Sequence, residues 1–244
     1  MTQRTRRSPL FAPLTISTTL ALSIAGCRAN PPAPVRESYV MAFLVSGNSA
    51  SEMTPEMRQA IQAAHMENIG KLADEGKLVI AGPFGHPSPD DSMRGIFVFD
   101  TGDVVKAREW TATDPAVKAG VLGMEMAVIR TETKLERAIE LYREQLAKNG
   151  GDARKDEMRG YAVVLAKSGE SASGALGGLR KAGRIVFEGE LEGSTRGGYV
   201  AVIDAKDKDE AKALLEPIAA GMGEHSVFPW WASATLIGLN PSGH

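Results

Sequence analysis

The sequence has few of the residues and motifs that assign a function directly. Its 244 residues include one cysteine, Cys27, so no disulfide bond can form within the chain. The charges nearly balance, with a net charge of -2, and no basic stripe predicts a nucleic-acid partner. No cluster of histidine, cysteine and acidic residues has the spacing of metal ligands, and no phosphate-binding or dinucleotide-binding glycine pattern is present. We therefore expect neither a metal nor a cofactor.

The N-terminal segment has the composition of an export signal. Arg4, Arg6 and Arg7 precede an apolar stretch over residues 10–24. This stretch is too short and too polar for a stable membrane-spanning helix. Small residues follow it and lead directly to Cys27. The pattern predicts a signal peptide over residues 1–26.

The position of Cys27 directly after small residues resembles the lipobox of bacterial lipoproteins. The resemblance implies a mature chain that begins at lipidated Cys27 and is attached to a membrane of the bacterial cell envelope through its acyl chains. Arg28 follows instead of aspartate, which in a Gram-negative host favours the outer membrane, facing the periplasm. The alternative is an ordinary secretory signal with an incidental cysteine. Residues 27–37 are rich in proline and form a predicted tether.

Two stretches of the chain predict the same order of strands and helices. Residues 38–131 and 158–240 each give the order βαββαβ, and residues 132–157 form a helical linker between them. This is the ferredoxin-like order, so the sequence predicts an α+β protein with two tandem ferredoxin-like units. The predicted strands are 39–45, 77–82, 95–100 and 122–130 in the first unit, and 161–166, 184–189, 199–204 and 228–237 in the second. In the first unit, one predicted helix begins at residue 54 and a second covers residues 103–110. In the second unit, the predicted helices cover residues 175–182 and 207–220.

One histidine belongs to the apolar face of the first predicted helix. Met57, Ile61, His65, Ile69 and Leu72 recur at spacings of four, four, four and three residues, so they share one face. This face is expected to meet the sheet. A lone histidine in such a stripe is more often a core residue than a functional one, so the spacing alone favours a packing role.

A series of short motifs adds a second line of inference. The motifs are, in chain order, His65, Gly76-Lys77-Leu78, Ala81-Gly82-Pro83-Phe84, Ile96-Phe97, Asp114-Pro115 and Ala119-Gly120-Val121. Together they resemble the YciI-like, or YCII-related, family of the dimeric α/β barrel superfamily. The resemblance implies that two four-stranded sheets pack face to face into a barrel, either as a pseudo-dimer within one chain or as a homodimer. The second unit departs from the pattern, with about Ala172 in the place of the histidine and Ile218 or Ala219 near the place of the aspartate.

The resemblance also implies a site in the first unit. There, a histidine and an aspartate would transfer a proton on a small organic substrate, in a lyase or isomerase reaction of the kind one branch of the family performs on lactone-type rings. His65 would be the base, and Asp114 would orient it. Further residues, near the end of the second strand, are expected to contact the substrate: Gly82, Pro83, Phe84 and His86.

Other interpretations of these residues stay open. Asp-Pro is also a common helix start, and loop histidines such as His86 are usually solvated. The alternative function is a non-catalytic small-molecule-binding or protein-interaction lipoprotein, and the sequence is compatible with either an enzyme or a binding protein. Trp230 and Trp231 face opposite sides of the last predicted strand, one expected in the core and the other between the sheets. An aromatic floor for a ligand is the alternative for this pair.

Overall fold

Within the part of the chain that the structure describes, eight strands form one antiparallel sheet. The computed structural model describes Met1 and residues 37–49, 53–152 and 157–240. Within these ranges the first half contains β1 (Glu37–Ser46), α1 (Pro55–Asp74), β2 (Leu78–Pro83), β3 (Met93–Phe99), α2 (Val104–Thr111), α3 (Pro115–Lys118) and β4 (Leu122–Thr131), followed by α4 (Arg137–Lys148). The second half contains β5 (Met158–Ala166), α5 (Gly169–Ala175), α6 (Gly177–Lys181), β6 (Ile185–Glu192), β7 (Tyr199–Ile203), α7 (Lys208–Leu215), α8 (Ala219–Met222) and β8 (His225–Ser233).

The strand order shows two copies of one unit joined edge to edge. The order is β2-β3-β1-β4 in the first repeat and β6-β7-β5-β8 in the second, with β4 paired to β6 over three residue pairs. At the opposite edge a bridge joins Phe84 to Trp230, and the Gly85 backbone N–H donates to the Pro229 carbonyl at 2.7 Å. The sheet is therefore a nearly closed barrel. This confirms the predicted α+β fold with tandem ferredoxin-like units, and the pseudo-dimer is built within one chain.

The interior of the barrel is a packed core to which both repeats contribute. Side chains alternate along β1, so Met41 and Phe43 face the interior while Val40 and Ala42 face the helices. Because both faces of the sheet are covered, the strands are continuous apolar runs. The buried residues that both repeats place inside include Tyr39, Met41, Phe43, Ile96, Ile129, Tyr161, Val163, Phe187, Val202, Phe228 and Trp230.

Each end of the barrel is closed by contacts between the repeats. At one end, α4 packs on a 3₁₀ helix, Ala234–Leu239, that follows β8. At the other end, Arg196 in the β6–β7 loop donates to both carboxylate oxygens of Glu125, at 2.6 and 2.7 Å, and to Asp90 at 2.9 Å. The hydrogen bond from Arg196 is the main reason that the pKa of Glu125 is lowered. This ion cluster ties the β2–β3 loop and β4 to the second repeat.

Several local predictions were wrong. The last strand ends at Ser233 instead of continuing to residue 237, since the Ser233 hydroxyl accepts the Thr235 N–H and caps the following 3₁₀ helix. The predicted helix over 207–220 is interrupted by a second 3₁₀ segment, Glu216–Ile218, which contains Pro217, a residue without an N–H donor. Met57 is 50% exposed instead of buried. Within the described ranges, no helix has the length and hydropathy needed to cross a membrane.

Candidate functional site

His65 lies between α1 and the outer face of the sheet. The helix begins at Pro55, and the Thr54 hydroxyl caps it by accepting the Met57 N–H. Three turns later His65 points inward, as its spacing predicts, and its ring stacks parallel to Phe97 of β3 with centroids 6.0 Å apart. Only 8% of its side chain is exposed. The histidine is therefore held by packing on the side of the sheet that faces away from the barrel interior.

Asp114 contacts His65 across 49 positions of sequence. Its Oδ2 lies 2.8 Å from His65 Nδ1, and its Oδ1 accepts the Ala116 N–H at 2.8 Å, which caps α3. The side chain is 1% exposed. The helix-start interpretation of Asp114-Pro115 is confirmed by the Oδ1 cap, and the second carboxylate oxygen contacts His65.

This geometry determines which nitrogen of His65 is free to act as a base. An ionised carboxylate can only accept hydrogen bonds, so Nδ1 must carry the ring proton and donate a hydrogen bond to Asp114. In the neutral ring the lone pair is then on Nε2. Nε2 has no hydrogen-bond partner among the described residues. The pair is consequently an oriented imidazole whose basic nitrogen is unoccupied within that part of the chain.

Gly82, Pro83 and Phe84 lie at the edge where β2 meets β8. A β-carbon on Gly82 would lie 2.2 Å from the Trp231 carbonyl oxygen, so the glycine is needed for close approach of the two strands. Phe84 faces the barrel interior and packs on Phe228, with ring centroids 4.8 Å apart. The structure does not bring these three residues to His65 and Asp114, which lie on the outer face. Their predicted substrate contacts have no support from this placement.

The corresponding edge of the second repeat repeats this packing. Gly189 in β6 occupies the position of Gly82, and a β-carbon there would lie 2.5 Å from the Arg130 carbonyl oxygen of β4. Since both repeats place a glycine at the same point of contact, strand packing is a sufficient reason for the Ala81-Gly82-Pro83 motif.

His86 is also separate from the pair. Its side chain is 68% exposed and lies 3.8 Å from the Asp91 carboxylate. It lines a cleft of about 560 Å³ that is formed mostly by the second repeat and contains neither His65 nor Asp114. Of the predicted site residues, only His65 and Asp114 are therefore brought together.

Comparison with known proteins identifies the first repeat. Residues 40–132 match the family described as the YCII-related domain. The first repeat is a YCII-related domain. It contains both His65 and Asp114, and the sequence-based recognition of this family is confirmed. No curated protein matches the chain.

Solved structures resemble the chain over both repeats. An arginine-to-alanine variant of chlorite dismutase from Candidatus Nitrospira defluvii has a TM-score of 0.51 and 11% identity, covering 82% of this chain and 93% of that one. A cyanide complex of another variant of the same enzyme has a TM-score of 0.51 and 11% identity, covering 83% and 92%. At this identity the likeness establishes the fold alone. The matched region includes both repeats, so the likeness extends beyond the YCII-related domain.

The second repeat lacks the pair of the YCII-related domain. Ala172 of α5 is fully buried in the helix–sheet core, and Ile218 and Ala219 are apolar. A different polar group is present there, in which Tyr199 donates to Glu188 at 2.5 Å and Arg180 bonds the same carboxylate. Burial, followed by this bond, raises the pKa of Tyr199. In the described ranges no three His, Cys, Asp or Glu side chains converge as metal ligands.

Sequence reasoning missed one polar group near the pair. Asn68 lies three residues after His65 and therefore on the same face of α1. Its Oδ1 is 3.0 Å from the hydroxyl of Thr113, the residue before Asp114, while its Nδ2 is buried and has no partner among the described residues. A polar residue at this spacing within an apolar stripe was the signal that could have identified it.

Proposed function

We propose that the YCII-related domain transfers a proton on a small organic substrate, with His65 Nε2 as the base. The observation that carries the proposal is the two-sided binding of Asp114, which caps α3 with one oxygen and orients His65 with the other. An imidazole fixed in this way keeps its lone pair on Nε2 without any reorganisation during the reaction. Lyase and isomerase reactions that begin with removal of a proton next to a carbonyl suit this arrangement.

Asn68 supports the same chemistry. When a proton is removed next to a carbonyl, negative charge develops on the oxygen, and a preorganised N–H donor stabilises that charge. The unpaired Nδ2 of Asn68, one helical turn from His65, is such a donor. We assign it the role of binding the substrate oxygen.

A second candidate function is a binding module without turnover. The small exposed fraction of His65 favours it, because little of the ring can meet a substrate unless α1 moves. The two functions differ in whether bound ligands exchange protons with the protein, and this difference can be measured.

The test combines binding with proton exchange. The purified protein is screened by thermal shift against small organic acids and lactones, since a ligand at about a hundred times its Kd adds about 2.7 kcal/mol of stability. Ligands that bind are then incubated in D₂O, and loss of their C–H signals is followed by proton NMR. We expect exchange by the wild type and a loss of about a hundredfold or more in His65→Gln.

The control is His86→Gln, which removes a histidine outside the pair and should leave the exchange unchanged. Exchange that survives in His65→Gln would contradict the proposed base. If ligands bind through His65 but their C–H protons do not exchange, the binding module is the function.

We further propose that the protein is attached to the bacterial envelope through lipidated Cys27. Cys27 lies outside the described residues, and the support is the sequence pattern around it. Labelling cells with an alkyne fatty acid should mark the wild type but not Cys27→Ser, and the variant should leave the membrane fraction. Labelled Cys27→Ser that still sediments with membranes would refute the anchor.

A further inference from the structure

A cleft of about 560 Å³ lies where the two ends of the sheet meet. We call it the seam cleft; its walls are β5, β8 and α7 of the second repeat and the His86-Pro87 loop of the first. Its volume is within the range of small-molecule sites in proteins. None of the residues that form the His65–Asp114 pair lines it, so it is independent of the proposed proton-transfer site.

The floor of the seam cleft is apolar and contains an exposed indole. Trp231 is 46% exposed, whereas its neighbour Trp230 is fully buried. It is the one aromatic side chain among the exposed large hydrophobic residues of the described ranges. One edge of the indole lies against Gly85, where a β-carbon would be 3.1 Å from Nε1. A large aromatic surface that is held in place at the wall of a cleft favours stacking by a flat ligand.

The rim of the seam cleft carries unpaired positive charge. Its positively charged residues are Lys206, Lys208 and Lys212, and its acidic residues are Asp207 and Glu216. The Asp207 carboxylate already accepts two backbone N–H groups at the start of α7. Lys208 and Lys212 are four residues apart on one face of α7, and neither side chain has a hydrogen bond or ion pair with another described residue. An anionic group is the complement of this rim.

We propose that the seam cleft binds a flat, aromatic organic anion. Its ring stacks on Trp231, and its anionic group is held by Lys208 and Lys212. The His86-Pro87 loop closes the opposite wall, so the ligand contacts both repeats. Among the described residues, the Phe84–Trp230 bridge and the Gly85–Pro229 hydrogen bond join the end of β2 to β8, so a ligand at this point also stabilises the closed barrel.

The test uses 2-naphthoate as the anionic probe and 2-naphthamide as its uncharged counterpart, titrated into the full protein by calorimetry. We expect saturable binding of naphthoate and binding of the amide that is weaker by about tenfold. Trp231→Leu and the double variant Lys208→Gln/Lys212→Gln should each weaken naphthoate binding by about tenfold. Trp231→Phe, which keeps an aromatic ring, should retain most of the affinity even if Trp231→Leu folds poorly.

The matched control for the lysines is Lys106→Gln on α2, the helix of the first repeat that corresponds to α7; it should bind like the wild type. No saturable binding of naphthoate, equal affinity for the amide, or binding unaffected by the Trp231 and lysine variants would overturn the proposal. Loss of binding in His65→Gln would place the ligand at the other site and would also overturn it. The failure of this proposal leaves the proton-transfer test untouched.

Discussion

Replacing Asp114 by alanine should destabilise the protein much more than the loss of a helix cap does. Both carboxylate oxygens accept hydrogen bonds at 2.8 Å in a site that is almost fully buried. Alanine leaves the Ala116 N–H and the His65 Nδ1–H without a partner, and each orphaned buried donor costs about 1–3 kcal/mol. We expect a loss of about 3 kcal/mol in the free energy of unfolding, or about 6–12 °C in melting temperature.

The matched control for this prediction is Asp103→Ala. Asp103 caps α2 by accepting the Val105 and Lys106 N–H groups, but it is exposed and has no histidine partner among the described residues. Its replacement should cost about 1 kcal/mol, and the difference between the two variants measures the bond to His65. Urea unfolding followed by circular dichroism gives both values. Equal losses in the two variants would refute the structural part of the argument.

Asp114→Asn separates stability from chemistry. The amide oxygen can still cap α3, while the amide NH₂ faces His65 Nδ1 and can only donate to it. Nδ1 must then accept, so the ring proton moves to Nε2. We expect most of the stability to remain and proton exchange to fall by about a hundredfold or more, as in His65→Gln, since the base is held in the wrong tautomer. An Asp114→Asn protein that exchanges protons at the wild-type rate would contradict the role assigned to the carboxylate.

Two further predictions concern the barrel. Gly82→Ala should lower the free energy of unfolding by about 2 kcal/mol, because its β-carbon would overlap a backbone carbonyl. Gly70 is exposed on α1 with open space around it, so Gly70→Ala should raise the free energy of unfolding by about 1 kcal/mol. Similar urea midpoints for the two variants would contradict the close packing of β2 on β8. The pKa of Glu125 is lowered in the folded state by Arg196, so the stabilisation by this ion pair is present above the ordinary glutamate pKa of 4.5 and is lost as the pH falls through the lowered value. The difference in stability between wild type and Arg196→Gln should therefore shrink on acidification, and a difference that is constant with pH would show that the pair does not contribute in this way.

The local features of the fold could be predicted because they depend on neighbouring residues. Apolar runs gave the strands, and the capping hydroxyl of Thr54 with Pro55 gave the start of α1. The errors at Ser233 and Pro217 came from single capping or breaking residues inside otherwise apolar segments. Burial of His65 followed from its helical spacing.

The site was harder to predict because it depends on contacts between distant residues. No rule of sequence spacing predicts a contact between His65 and Asp114. Their pairing was expected only from the family resemblance. The role of Gly82 depends on β8, about 150 residues away along the chain, so the motif alone does not show that strand packing requires this glycine. His86 lies three residues after the end of β2, yet the loop places it beside the second repeat. Residues that are close together in sequence therefore lie on different faces of the sheet or in different clefts.

The most direct test of the central claim is the tautomer of His65. Long-range ¹H–¹⁵N NMR on the labelled protein, at a pH where the ring is neutral, distinguishes a protonated from an unprotonated ring nitrogen. The account predicts a protonated Nδ1 and an unprotonated Nε2 in the wild type, with the two exchanged in Asp114→Asn. A wild-type ring protonated on Nε2, or a tautomer that is the same in both proteins, would contradict it.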